Sequence, residues 1–197
     1  MSDLKEFKKI LNIESKDYFL QLNREFTVDN DNREFLHKIS LYCTNNLEFE
    51  KGDGQLQKGL LILGNCGTGK SSIFDIIQNI SKKHKISELW YKNVSVNEIV
   101  SKFEKEGEYV VQYHQKGCIH FDDLGTEKLA NSWGVKENLM ARIFELRYEN
   151  FKAYGLKTHV TTNLTKYELH KKYGDRVMDR FFEMFNFLEL EGDSRRF

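Results

Sequence analysis

The chain is 197 residues long with 30 basic and 30 acidic side chains. That size suits one α/β core burying about 70% of its unfolded surface, and the charge balance argues against steering toward a polyanion by the molecule's net field, so any nucleic-acid contact has to come from a local patch. Cys43, Cys66 and Cys118 are widely spaced without a CxxC pair, which argues against a disulfide framework or a zinc site and for reduced thiols in a cytoplasmic protein; nowhere do about 18 apolar residues follow one another, so no membrane partner is expected.

Proline is absent, so boundaries are read from periodicity, glycine and caps. Residues 1–31 carry "LKEFKKIL" and "DYFLQLNREF" at helical spacing and predict a short arm of one or two amphipathic helices, with a single domain over 32–197. "NREFLHKISLYCTNN" puts Phe35, Leu36, Ile39 and Tyr42 or Cys43 on one helix face. Strand and helix then alternate: strand 59–63, helix 70–83, strand 88–94, and a helix to about 105 opened by a capping box of Ser95 and Glu98. "EYVVQYHQ" is left open between helix and loop; a strand follows over 118–123, a helix over 135–151 and a strand over 157–162. A second capping box, Thr165 with Glu168, starts a helix that yields at Gly174 to another over 175–184, and the last strand covers 186–190. Five strands separated by helices predict a parallel sheet with helices on both faces.

"GNCGTGKSS" after the strand "GLLIL" fits G-x-x-x-x-G-K-[ST] as Gly64, Gly69, Lys70 and Ser71. Glycines at 64, 67 and 69 let the backbone curl so that the amides of Gly64, Asn65, Cys66, Gly67, Thr68, Gly69, Lys70, Ser71 and Ser72 face phosphate oxygens at a helix N-terminus. Lys70 would neutralise the β- and γ-phosphates of ATP, and the Ser71 hydroxyl would ligate Mg²⁺. "CIHFDDLG" ends a strand with Asp122, suited to the metal, and Asp123, suited to orienting or deprotonating the attacking water. Asn163 follows the next strand, where a neutral amide could hold that water or the γ-phosphate. In "YGDRVMDRFF", Arg176 and Arg180 share a helix face; they are either paired with acids such as Asp175 and Asp179, or one of them reaches a neighbouring subunit's γ-phosphate.

With these pieces in order, residues 34–197 resemble the AAA+ ATPases of the DnaC/DnaI helicase-loader and IstB transposition-helper group. The resemblance implies a five-stranded AAA+ P-loop NTPase fold without a separate C-terminal lid domain. It makes Gly64–Ser71 the Walker A motif, Asp122 and Asp123 the Walker B acids, Asn163 sensor 1, Arg180 the trans arginine finger with Arg176 beside it, and Arg196, in "GDSRRF", the sensor 2 arginine. It further implies an ATP-dependent homo-oligomer, DNA as a partner with single strands favoured, and a replicative helicase as a possible client. Asp123 is one methylene shorter than the Glu of most AAA+ proteins, which implies slow hydrolysis unless assembled. Candidates for contacting single-stranded DNA are Lys102, Lys105, Tyr109 and Tyr113, whose rings suit stacking or a core equally well. Two alternatives stand beside the loader: a transposition helper acting on duplex DNA, and a binding module that takes ATP as a switch without turnover. A small-molecule kinase is disfavoured, because residues 124–156 supply only Arg142 and Arg147, both within a predicted helix.

Overall fold

In the computed structural model, which describes residues 3–132 and 134–195, the chain divides into two compact units. The first takes Met1–Leu56, Gly64–Trp90 and Leu188–Phe197, and the second Gln57–Leu63 and Tyr91–Phe187.

The first unit is helical. Asp3 accepts hydrogen bonds from the amides of Lys5 (2.7 Å) and Glu6 (3.1 Å), an N-cap that starts α1 (Leu4–Gln21). The arm therefore holds one long helix. Its buried stripe of Phe7, Leu11, Glu14 and Ser15 packs on α2 (Arg33–Cys43) and α4 (Lys70–Lys83), with the single turn α3 (Glu48–Lys51) beside α2. Ile73, Phe74, Ile76, Ile77 and Ile80 bury the opposing side of α4. Polar ties between the helices include Lys83 Nζ at 2.6 Å from Glu14 Oε1 and the Tyr18 hydroxyl, which donates to Asp75 Oδ2 at 3.0 Å.

The second unit is built on a parallel sheet. Among the described residues the strands are β1 (Gly59–Leu63), β2 (Lys92–Ser95), β3 (Ile119–Leu124), β4 (Ala130–Ser132), β5 (Val135–Glu137), β6 (Thr158–Thr162) and β7 (Phe185–Glu189). The main sheet has the order β2-β3-β6-β1-β7. Every residue of β1 and β6 is buried, as strands must be when helices cover both faces of a sheet. Leu63 pairs with Thr162 and Leu124 with the same residue, so β1, β6 and β3 end side by side at one edge. The crossovers are α5 (Val96–Glu106), α6 (Glu108–His114), α7 (Leu139–Tyr154), α8 (Lys166–Tyr173) and α9 (Asp175–Met184). Phe121, Phe144, Phe181 and Phe185 meet edge to face at the centre of this core.

Three local expectations change. The strand expected over 88–94 begins only at Lys92, because a 3-10 turn over Ser87–Leu89 takes up the amides of Leu89 and Trp90. The Ser95–Glu98 capping box does not form: Ser95 closes β2 opposite Asp122, and Glu98 turns to Lys102 at 2.6 Å. The helix expected from 135 starts at Leu139, capped by Asn138, after the antiparallel pair β4-β5. The Thr165–Glu168 box is present, and residues 108–114 are helix. No helix among the described residues is long and apolar enough to cross a membrane.

Candidate nucleotide-binding site

The glycine loop begins at the residue after β1. Gly64, Gly67 and Gly69 have φ of 152°, 87° and 105°, and α4 starts at Lys70. The last two values lie in the left-handed region that glycine occupies without steric cost. Space excludes a side chain as well: a Cβ on Gly64 would lie 2.1 Å from the Leu190 carbonyl oxygen, and one on Gly67 2.3 Å from Ser194 Oγ. Lys70 is buried, and its ammonium donates to the carbonyl oxygens of Gly64 (2.7 Å) and Asn65 (2.6 Å). Ser71 and Ser72 follow in the first turn of α4, half-buried.

At the other motif, β3 carries a bulge between Phe121 and Leu124, and Asp123 sits at φ 58°, a left-handed conformation that Asp tolerates better than most residues. Both acids are half-buried. The Thr161 hydroxyl makes a short hydrogen bond to Asp122 Oδ1 and lies 3.3 Å from the Asp123 amide that donates to it. Asn163 is exposed just past the end of β6. His120 is 1% exposed within the sheet, and burial pushes its pKa down to about 3; His159 is likewise held well below the usual value and accepts the Leu60 amide on Nδ1 at 3.1 Å. Both rings are neutral packing groups.

Arg176 and Arg180 lie on α9 with the buried Val177, Met178 and Phe181 between and beside them. Their acid partner is Glu145 of α7, at 3.2 Å from Arg176 Nε and 3.0 Å from Arg180 Nη1, while Asp175 pairs with His170. Arg176 is 75% exposed; Arg180 is 12% exposed, with its guanidinium over the Tyr148 ring. Arg196 lies outside the described residues.

Sequence reasoning missed the walls beside the loop. A cavity of about 540 Å³ in the first unit is lined by Thr68, Gly69 and Ser72 together with Phe19, Phe26 and Arg195. The tail is fixed there by the Arg195 amide, which donates to the Gly67 carbonyl at 3.0 Å, and by a two-pronged ion pair of Arg195 with Asp29 at 2.7 and 3.0 Å. This guanidinium holds the Asp29 pKa down at about 2. No local pattern announces a pair 166 residues apart.

The residues fit the groups that the motif implies. Glycine-only backbone with a lysine and a helix N-terminus suits a polyphosphate, and the serine and carboxylate oxygens of Ser71 and Asp122 are hard donors of the kind Mg²⁺ takes. In three-dimensional comparison the chain is similar to the DnaC helicase loader, with a TM-score of 0.58 and 18% identity over 84% of this chain and 93% of that one. The fold is that of a AAA+ P-loop NTPase. The same AAA+ likeness extends to DnaA from Aquifex aeolicus bound to AMPPCP, with a TM-score of 0.57 and 16% identity over 87% of this chain and 50% of that one. It extends also to the replication initiator DnaA bound to AMPPCP and single-stranded DNA, with a TM-score of 0.57 and 17% identity over 85% and 49%. The chain thus spans about half the length of these DnaA chains. No family model and no curated protein matches the sequence.

Proposed function

We propose that the protein is a Mg²⁺- and ATP-dependent AAA+ ATPase that serves DNA replication as a helicase loader, assembling with copies of itself and binding single-stranded DNA. The observation that carries this reading is the Gly64–Ser72 loop, its glycine conformations and Lys70 intact, on a fold similar to the DnaC loader over 93% of that chain. The loop amides and Lys70 hold the β- and γ-phosphates, and the adjacent cavity takes the base and ribose against Phe19 and Phe26. Ser71 and Asp122 hold Mg²⁺, which when bound neutralises charge on the phosphates. Asp123 orients or deprotonates the attacking water, Asn163 holds that water or the γ-phosphate, and Arg180, with Arg176 beside it, serves the nucleotide of a neighbouring copy. A sensor role for Arg196 rests on the resemblance alone.

The DNA-binding part of the reading is supported by the rings of α6. Tyr109 and Tyr113 are 62% and 48% exposed, which removes them from the core, and their centroids are 6.2 Å apart. Lys92 Nζ lies 4.1 Å above the Tyr113 ring, and Lys102 and Lys105 stand on the neighbouring α5. Rings beside cations suit unpaired bases and their phosphates.

ATP turnover measured against protein concentration, with and without single-stranded DNA, tests the assignment. Turnover rises with both, and Arg180→Ala lowers it about 1,000-fold under assembling conditions while ATP affinity is retained. A variant as fast as the parent overturns the trans role. One observation favours a second reading, an ATP switch without turnover: Arg180 is largely covered and already held by Glu145. Tight ATP binding with no hydrolysis in any assembly state would select it.

A further inference from the structure

The sheet unit carries a polar side-chain chain that runs behind the acids and that the motifs do not include. Thr161, fully buried on β6, lies at its centre. Its hydroxyl hydrogen bonds to Asp122 Oδ1, its oxygen receives the Asp123 amide at 3.3 Å, and the same oxygen lies 3.3 Å from His120 Nε2. His120 Nδ1 in turn lies 3.0 Å from Asn93 Oδ1 of β2. Three adjacent strands, β2, β3 and β6, thus contribute one polar side chain each to a line that ends on Asp122.

Proton counting orders this line. A carboxylate only accepts, so the single Thr161 proton goes to Asp122 and its oxygen is left to receive. His120 donates from Nδ1 to Asn93 Oδ1, so its Nε2 carries no proton and only packs beside the Thr161 oxygen. Thr161 therefore acts on both acids at once. It directs one carboxylate through its O–H, and through its oxygen it ties down the amide of the left-handed residue that carries the other. Valine in its place would keep the shape and lose both bonds.

We infer that Thr161 is a positioning residue that aims Asp122 at Mg²⁺ and fixes the turn at Asp123, so that metal affinity and hydrolysis depend on it while nucleotide binding without metal does not. The inference rests on the nucleotide reading above. Partners that orient a metal-binding carboxylate without touching the metal govern affinity and activity about 10- to 100-fold.

The test is a calorimetric titration of Mg²⁺ into the ATP complex of the parent, Thr161→Val and Thr161→Ser, alongside ATP affinity in EDTA, melting curves and turnover. Thr161→Val is expected to raise the Mg²⁺ midpoint about tenfold or more and to lower turnover by a similar factor, with ATP affinity in EDTA unchanged. Thr161→Ser, which restores the hydroxyl, is expected to return both to the parent's values. A Thr161→Val midpoint equal to the parent's overturns the inference, and so does an equal shift in Thr161→Ser, which would mean that side-chain shape alone matters. Should Thr161→Val fail to fold, Thr161→Cys, close in volume with only a weak S–H donor, takes its place under the same outcomes. A parent that binds no ATP in EDTA removes the nucleotide reading itself and this inference with it, whereas a parent that binds ATP beside an unshifted variant removes this inference alone.

Discussion

Asp122 and Asp123 extend from a strand with a neighbour on each side, and their surroundings are the buried side chains of those neighbours. The glycine loop is walled instead by residues from both ends of the chain, Leu190 and Ser194 against its glycines and the Asp29–Arg195 pair beside them. The acids are therefore as firmly placed as the core of their unit. The loop lies against a tail whose ties include a partly exposed ion pair and a backbone hydrogen bond. On the proposed reading, the acids that need fixed geometry have the sheet's support, and the loop that would admit and release a nucleotide has the chain end's.

That contrast can be broken from the side of the core. Arg147 is fully buried and, among the described residues, pairs with no acid, donating instead to the carbonyl oxygens of His114 (2.8 Å), Gly117 (2.9 Å) and Lys157 (3.0 Å) and to Thr158 Oγ1 (2.7 Å); burial lowers its pKa to about 10. Arg147→Met orphans these acceptors, and its urea midpoint is expected to report a loss of about 3–5 kcal/mol. If the loss stays below about 1 kcal/mol, the acids are not anchored by this core. Acid should act next. The pKa of His120 is about 3 in the folded chain against 6.5 ordinarily, and that of His159 is also lowered. Unfolded chains take up protons that the folded one refuses, so stability is complete above pH 6.5 and falls below it, by about 1.4 kcal/mol per unit from His120 alone, with His159 and the buried His114 acting in the same direction. Equilibrium unfolding at pH 5 and 7 measures this, and His120→Gln should reduce the slope by about 1.4 kcal/mol per unit.

The tail gives the smallest effect. Asp29→Ala opens a partly exposed pair worth about 0.2–1 kcal/mol, so melting should barely change while ATP affinity drops by up to about fivefold. Because Asp29 titrates at about 2, the pair persists through the histidine window, and tail opening is separable from acid unfolding. An ATP affinity in Asp29→Ala equal to the parent's would mean that the tail plays no part in holding the loop.

The sequence carried the loop because its pattern is local: each glycine's backbone requirement lies within six residues of the lysine it serves. The Thr165 cap was equally readable, as donor and acceptor sit three residues apart. Ser95 and Glu98 fit that same pattern and do not form it, since strand pairing and Lys102 claim them first. The β4-β5 pair, three residues to a strand, is too short to show periodicity. Arg147 reads as an ordinary helical cation, because its acceptors come from segments 10 to 33 residues away. Asp29 and Arg195 give no sign of each other in the sequence. What remained hidden was the long-range polar pairing; the alternation of elements was plain.

The left-handed backbone at Asp123 bears on how this protein could be re-engineered. If Asp123 serves the attacking water as proposed, lengthening it to glutamate looks like a simple route to faster turnover. Short polar side chains are the ones that tolerate such a φ among residues other than glycine. The main chain thus favours the shorter acid there, and an exchange for glutamate meets a backbone cost of about 1–2 kcal/mol that reshaping the bulge in β3 would remove.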